Sequence, residues 1–411
     1  ISEAEIDTSV RRLLSTKFKL GFFDAPEKVP YTSISVDVID CPEHRKLARQ
    51  AAAESIVLLK NKDNVLPLAA APAGMLVVGP NAANINALLG NYYGINPRMV
   101  TFMEGLVERT PEGCRVKYRM GCPLSQKGAP GVNYTFGAAD MSEVVIAVLG
   151  LDPSLEGEEG DTVASPVGGD RPTIELPENQ RNFLRELRQH SKKLILVLTG
   201  GSAISIPEEH EYCDAILQVW YPGCEGGRAL ADILFGDVSP SGKLPLTVPK
   251  QTSDLPAFND YSMKGRTYRF AEKEPLYPFG FGLSYAQLKY GPLHLSSAEL
   301  AEKDEVVVRT TLTSRSPRPV SETVQCYLVP PTRPDAPKAA LVDFKKVTVP
   351  AAGTVEVEFT LPSAAFRQVD ANGKLVWTPG ACKLVVGSAS PGPRAQALGA
   401  PAPATAELRL R

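Results

Sequence analysis

Apolar residues fall into two kinds of pattern along this chain. Up to about residue 290 they form short unbroken runs: "GMLVV" ahead of Gly79, "VVIAVLG" from Val144, "LILVLTGG" from Leu194 and "AILQVW" from Ala215. Segments of helical spacing separate them. "PEHRKLARQAAAES" leads into the run "IVLLKN", "PENQRNFLRELRQH" carries Pro177 and Glu178 at its start, and "GGRALADILFG" follows "YPGCE". Unbroken β-branched and leucine runs alternating with helices predict an α/β domain built on a mostly parallel sheet covered on both faces. Such sheets bind ligands in crevices beyond the carboxyl ends of their strands. The loop after Val148 and Leu149 stands in that kind of position.

From about Leu293 to Gly387 the pattern changes to alternation. "EVVVRTTLTS", "ETVQCYLVP", "FKKVTVP", "TVEVEFTLP" and "ACKLVVG" read as short strands separated by turn residues. They predict an antiparallel, all-β sandwich of roughly immunoglobulin size. The remainder, "SPGPRAQALGAPAPATAELRLR", is rich in Pro and Ala and reads as a tail or wrapping segment. At the other end, "ISEAEIDTSVRRLLSTKFKLGFFD" predicts an amphipathic helix with Ile6, Val10, Leu13 and Leu14 at helical spacing, closed by Gly21. It starts without a methionine or a signal peptide, so an upstream part is expected to have been cleaved off or omitted. Four parts result: a helix and linker (1–40), the α/β domain (41–290), the β-sandwich (291–390) and a tail (391–411).

Composition narrows the function classes. With 411 residues the chain exceeds what one core usually serves, and 43% hydrophobic with 22% charged residues is ordinary globular composition. A net charge of −2 without a basic block gives no support to nucleic acid or a membrane surface as partner. The longest apolar runs are too short to span a bilayer. Seven scattered cysteines include no C-x-x-C pair, which argues against zinc-ribbon and thioredoxin chemistry. Cys114 and Cys122 flank "RVKYRMG", a spacing that an oxidising compartment would allow to bridge, but core or free thiols are the favoured reading. The four histidines share no ligand spacing, so no His-based metal site is expected.

One stretch concentrates chemistry. In "GLDPSLEGEEGD", residues 150 to 161, four carboxylates occupy six positions directly after an apolar run. It reads either as a solvated charge run or as half of an acid/base pair. Other motifs are weaker. Asn81 in "GPNAAN" and Tyr92 and Tyr93 in "GNYYG" stand in loops near the crevice and are candidates to touch a ligand, though tyrosines beside glycine are more often simply packed. "GGRAL" lacks the Gly-Lys-Ser/Thr ending of a phosphate loop, and "TGGSAIS" around Ser202 lacks G-x-S-x-G.

The landmarks follow one another in order: "AAAESIVLLKNKDNVLPL", "VVGPNA", "GNYYG", the acidic loop ending in "GGDR", "YPGCEGGRALADILFGDVSPSGKLPLTVP", "GRTYRF" and "YPFGFGLSY". This series strongly resembles the family 3 glycoside hydrolases, above all the β-xylosidase-like branch. "TVQCYL", "LVDFKKVTVPAAGTVEVEFTL" and "VDANGKLVWTPGACKLVVGSAS" resemble the fibronectin type III-like domain that ends many members. The resemblance runs from Ile1 to about Ser390. It implies a (β/α)8 barrel ahead of the α/β sandwich domain, with residues 1–24 resembling the barrel's exit helix and 25–40 the linker. The barrel is absent from this sequence. The family's nucleophile, an aspartate in an Asp-Trp context, has no match, because Trp220 follows Val219 and Trp377 follows Val376. The barrel's sugar-binding Lys-His pair has no counterpart either.

By the same resemblance, the acid/base is the second glutamate of an "IEAE"-like motif. "LEGE" matches it and makes Glu158 the general acid/base, with Glu156 shaping the loop or holding Glu158, and Glu159 the neighbour most easily confused with it. The pattern departs in one respect. An Asp-Arg pair expected soon after the motif is displaced to Asp170-Arg171 by "GDTVASPVG", which leaves the register among Glu156, Glu158 and Glu159 open. "GRTYRF" carries Arg266 and Arg269, expected to brace the domain against the barrel.

The expectation is therefore the C-terminal part of a retaining exo-β-glycosidase, with β-xylosidase preferred over β-glucosidase on the resemblance alone. Its partners would be the barrel portion, as a separate chain or cleaved segment, and a β-linked oligosaccharide; a homodimer is left open. No cofactor is implied, since both catalytic steps use carboxylates and water. Family habit points to a secreted or periplasmic location. The rival of another class is a non-catalytic carbohydrate-binding or scaffold protein. An N-acetylhexosaminidase is disfavoured, since such members often lack this domain and draw their acid/base from the barrel.

Overall fold

The unbroken runs become strands buried on both faces, and the alternating runs become strands buried on one. A computed structural model of the chain describes residues 1–68, 72–91, 93–94, 96–125, 134–157, 165, 167–169, 171–334 and 336–411. The chain divides into two compact units, Ile1–Ala48 and Arg49–Arg411.

In the first unit, helix α1 (Glu3–Lys19) begins with a capping box. Ser2 accepts from the Glu5 amide, and the Glu5 carboxylate accepts from the Ser2 amide at 2.7 Å. Gly21 follows the helix at φ 75°, a conformation that favours glycine. The predicted apolar stripe is present, but Ile6, Val10, Leu13 and Leu14 are all exposed.

In the second unit, β1 (Val57–Asn61), β2 (Gly74–Val78), β3 (Arg115–Arg119), β4 (Val144–Gly150), β5 (Leu194–Thr199) and β6 (Ala215–Trp220) form a sheet in the order β1-β6-β5-β4-β2-β3. Neighbours are parallel except β1, which runs antiparallel to β6. Residues 49–55 of helix α2 (Pro42–Ser55) and helices α3 (Phe102–Arg109), α4 (Tyr134–Asp140), α5 (Glu178–Gln189), α6 (Pro207–Tyr212) and α7 (Gly226–Leu234) flank it. Leu76, Val145, Ala147 and Leu196 face a core completed by Ala139 of α4 and Leu184 and Leu187 of α5. The alternate residues Met75, Val144, Ile146 and Ile195 face a core completed by Ala53 of α2, Phe102 of α3 and Leu230 of α7. Both faces exclude water, so every strand position wants an apolar side chain. The exceptions are at the edges: β1 ends in the half-buried Lys60 and Asn61, and β3 reads "RVKYR", whose charges concealed it from the hydrophobic pattern.

The sandwich contains β7 (Leu288–Tyr290), β8 (His294–Leu295), β9 (Glu299–Leu300), β10 (Glu305–Ser314), β11 (Val320–Val329), β12 (Ala340–Val349), β13 (Thr354–Pro362), a small ribbon of β14 (Gln368–Val369) and β15 (Leu375–Val376), β16 (Gly380–Gly387) and β17 (Ala404–Leu410). One sheet runs β13-β10-β7 with β8 also on β10, and the other runs β12-β11-β16-β17-β9. Val308, Phe359, Val324 and Leu384 meet between them. The last segment corrects the reading of 391–411 as a tail. Its end, β17, pairs antiparallel with β16 from Ala404↔Val386 to Leu410↔Gly380 and parallel with β9. Ala404, Leu408 and Leu410 are buried in the sandwich core. The alternation was present in "ATAELRL" but muted by two alanines.

The two layers of this unit share a buried ion pair. Lys243, beyond the α/β sheet, brings its ammonium to 2.8 Å from Glu322 Oε1 on β11 and donates to the Gly282 carbonyl at 2.7 Å. In "GRTYRF", Arg266 donates to the Ser262 carbonyl of its own loop, and Arg269 lies over the Phe270 ring. Tyr268 between them stacks on Phe279 at 4.6 Å and meets the edge of Tyr327 on β11.

Candidate active site at the carboxyl edge of the sheet

Strands β2 and β3 lie on one side of a division in the sheet and β4, β5 and β6 on the other, so a switch point falls between β2 and β4. The chain leaves both strands through glycine. Gly79 has φ 111° and Gly150 φ 123°. A Cβ on Gly79 would stand 2.0 Å from the Val148 carbonyl oxygen, and one on Gly150 would stand 2.1 Å from that of Thr199. Only glycine lets adjacent strand ends approach so closely.

Asn81 ties these ends together. Its Nδ2 donates to the Leu151 carbonyl at 3.2 Å and to Thr199 Oγ1 at 2.7 Å, and its Oδ1 accepts from Asn84 Nδ2 at 3.2 Å. Asn84 also donates to Asp152 Oδ2 at 2.9 Å. Asn81 is fully buried with its side-chain amide hydrogen-bonded inside the protein, which speaks against its reading as a ligand contact. Tyr93 is exposed. Tyr92 lies outside the described residues, as do Glu158, Glu159 and Asp170.

The acidic stretch is described as far as Gly157. Leu155 is buried as an anchor, and Glu156 turns back onto the edge of the sheet. Glu156 Oε2 accepts from the Gly201 amide at 2.7 Å and from the Tyr221 hydroxyl at 2.6 Å. Its Oε1 accepts from the Ser202 hydroxyl and lies 3.9 Å from Arg171 Nε. Arg171 Nη2 donates to Ser202 Oγ at 2.6 Å and to the Ala203 carbonyl at 2.8 Å, while its Nη1 is buried without a partner among the described residues. Asn91 of "GNYYG" donates to the Glu156 carbonyl at 3.2 Å.

The electrostatics follow from burial beside charge. Burial, then the negative charge and hydrogen bond of Glu156, push the Tyr221 hydroxyl far above the ordinary tyrosine range. Tyr221 is thus a neutral donor at any physiological pH. Burial lowers Arg171, and the neighbouring Glu156 charge opposes that shift. Both Glu156 oxygens are engaged as acceptors, which suits an anchor.

The sequence pointed to Glu156 and Arg171, raised Ser202 only as a poor nucleophile, and passed over Tyr221 and Asn91. Ser202 is engaged by Glu156 and Arg171. Tyr221 had a usable signal, since it follows directly on the carboxyl end of β6. All seven cysteines are free, so Cys114 and Cys122 do not bridge, and burial raises the Cys122 thiol to about 12. Among the described residues, no three His, Cys, Asp or Glu side chains gather as a metal site, and no helix is long and apolar enough to cross a membrane.

Known proteins share this architecture. The Glycosyl hydrolase family 3 C-terminal domain matches residues 56–285, and the Fibronectin type III-like domain matches residues 322–390. A "Beta-xylosidase" of Formosa agariphila is 32% identical over 403 residues, covering 94% of this chain and 54% of that protein. A "Periplasmic beta-glucosidase" of Salmonella typhimurium is 30% identical over 425 residues, covering 94% and 54%. The solved β-glucosidase of Erythrobacter marinus superposes with a TM-score of 0.81 at 32% identity, covering 97% of this chain and 54% of its own. The chain thus spans about half the length of the relatives it matches. With its mostly parallel sheet, switch-point crevice and appended sandwich, this chain belongs to glycosyl hydrolase family 3, as the C-terminal part of that architecture.

Proposed function

We propose that this chain is the C-terminal part of a retaining exo-acting β-glycosidase, a β-xylosidase in preference to a β-glucosidase, and that Glu158 is its general acid/base. The observation that carries this reading is the anchoring of Glu156 at the carboxyl ends of β5 and β6. The anchor ties the acidic stretch to the edge where parallel sheets take their ligands, with Glu158 two residues further on. Retaining hydrolysis needs two carboxyl groups about 5–5.5 Å apart, one attacking the anomeric carbon and the other protonating the departing oxygen and then deprotonating water. The first would come from a barrel portion supplied as a separate segment. The substrate would be the non-reducing end of a β-linked xylo- or gluco-oligosaccharide. Relatives named for both sugars support the class, and the "LEGE" stretch supports xylose. Export is proposed on the periplasmic relative.

The test is Glu158→Ala in the complete enzyme, this chain together with its barrel. Hydrolysis of disaccharides should be crippled, and azide should restore turnover of substrates with good leaving groups. Near-normal turnover of a natural disaccharide would sink the assignment. A purified chain that folds alone, associates with no barrel-sized polypeptide and is inactive would favour the carbohydrate-binding scaffold instead.

A further inference from the structure

The network around Glu156 joins two points of the chain that lie on either side of the acidic segment. Glu156 precedes that segment and Arg171 follows it. Arg171 reaches Ser202 Oγ at 2.6 Å, and Ser202 in turn donates to Glu156. Tyr221 closes the arrangement from β6 at 2.6 Å. Its placement is bought with backbone strain: the preceding Trp220 has φ 59°, unfavourable for a bulky residue, and the β5–β6 register shifts between Leu198 and Thr199. Such strain persists where the surrounding structure demands it. Trp220 is held there by its indole N–H on the Ser55 carbonyl at 3.0 Å.

We propose that Arg171, Ser202 and Tyr221 are positioning residues that clamp Glu156 and thereby fix both ends of the acidic segment to the sheet edge. They act on the proton donor through Glu156 and the chain, and the inference rests on the reading of Glu158 as acid/base. A clamp of this kind matters most when the leaving group needs a proton. A displaced acid costs little on a substrate whose leaving group departs unaided.

The experiment compares Tyr221→Phe, Arg171→Met and Glu158→Ala in the complete enzyme. Substrates are xylobiose and aryl β-xylosides of graded leaving-group acidity. Tyr221→Phe and Arg171→Met should lower xylobiose turnover about ten- to hundredfold, the scale of one lost hydrogen bond to a charged group, and leave the most activated aryl xyloside nearly unaffected. Arg171→Lys should recover part of the loss. Equal loss on every substrate, or none, would overturn the clamp. If Glu158→Ala is crippled and rescued by azide while the other variants show a flat leaving-group profile, the clamp alone fails. If Glu158→Ala retains disaccharide turnover, the acid/base reading fails and the clamp with it. Should Arg171→Met not fold, Tyr221→Phe, which removes a single hydroxyl, decides the matter.

Discussion

Replacing Lys243 by methionine tests how the α/β layer and the sandwich hold together. Its side chain is 10% exposed and that of Glu322 only 2%, with the ammonium 2.8 Å from Oε1. Among the described residues, Lys243 is the ion-pair partner of that oxygen, and no hydrogen bond of ordinary geometry reaches it. Burial raises Glu322 above the ordinary carboxylate range, and Lys243 pulls it back. Removing the lysine leaves an uncompensated buried carboxyl, which costs about 3–5 kcal/mol. A solvent-exposed pair would cost about 0–1 kcal/mol. Lys243→Met with Glu322→Leu should recover most of the loss, because neither charge is then desolvated. The sign with pH follows from linkage. A carboxyl raised on folding binds more protons folded than unfolded, so its penalty is absent below the unfolded pKa and grows as pH rises through the folded one. Lys243→Met widens that window upward. Urea unfolding at pH 7 and pH 5 should therefore show a larger gain on acidification for Lys243→Met than for the parent. A loss below about 1 kcal/mol at pH 7, or a double variant no more stable than the single, would refute the reasoning.

Three further outcomes follow. Leu408→Ala in β17 should cost about 2–5 kcal/mol by urea unfolding, because it opens the sandwich core, whereas a true tail would lose almost nothing. Asn81→Ala strips the tie between the Leu151 carbonyl and Thr199 and should cost about 1–3 kcal/mol in stability. It should leave the substrate KM of the complete enzyme unchanged, as expected of a buried residue. Gly150→Ala should give a poorly folding chain, seen as lost near-ultraviolet dichroism, because its Cβ would meet the Thr199 carbonyl at 2.1 Å.

The sequence by itself determined the layers. Side chains of β2, β4, β5 and β6 are desolvated on both faces, so "VVIAVLG" and "LILVLTGG" had to be apolar throughout and announced a covered parallel sheet. The sandwich was legible for the complementary reason, one buried face per strand. Where burial or hydrophobicity was diluted the signal failed, as in the charged edge strand β3 and the alanine-bearing β17. The acidic stretch was visible as composition, but the role of Glu156 was not. Its partners Arg171, Gly201, Ser202 and Tyr221 lie 15 to 65 residues away along the chain. They meet because the sheet order sets the ends of β4, β5 and β6 side by side. That proximity is a property of strand pairing, and no local pattern encodes it.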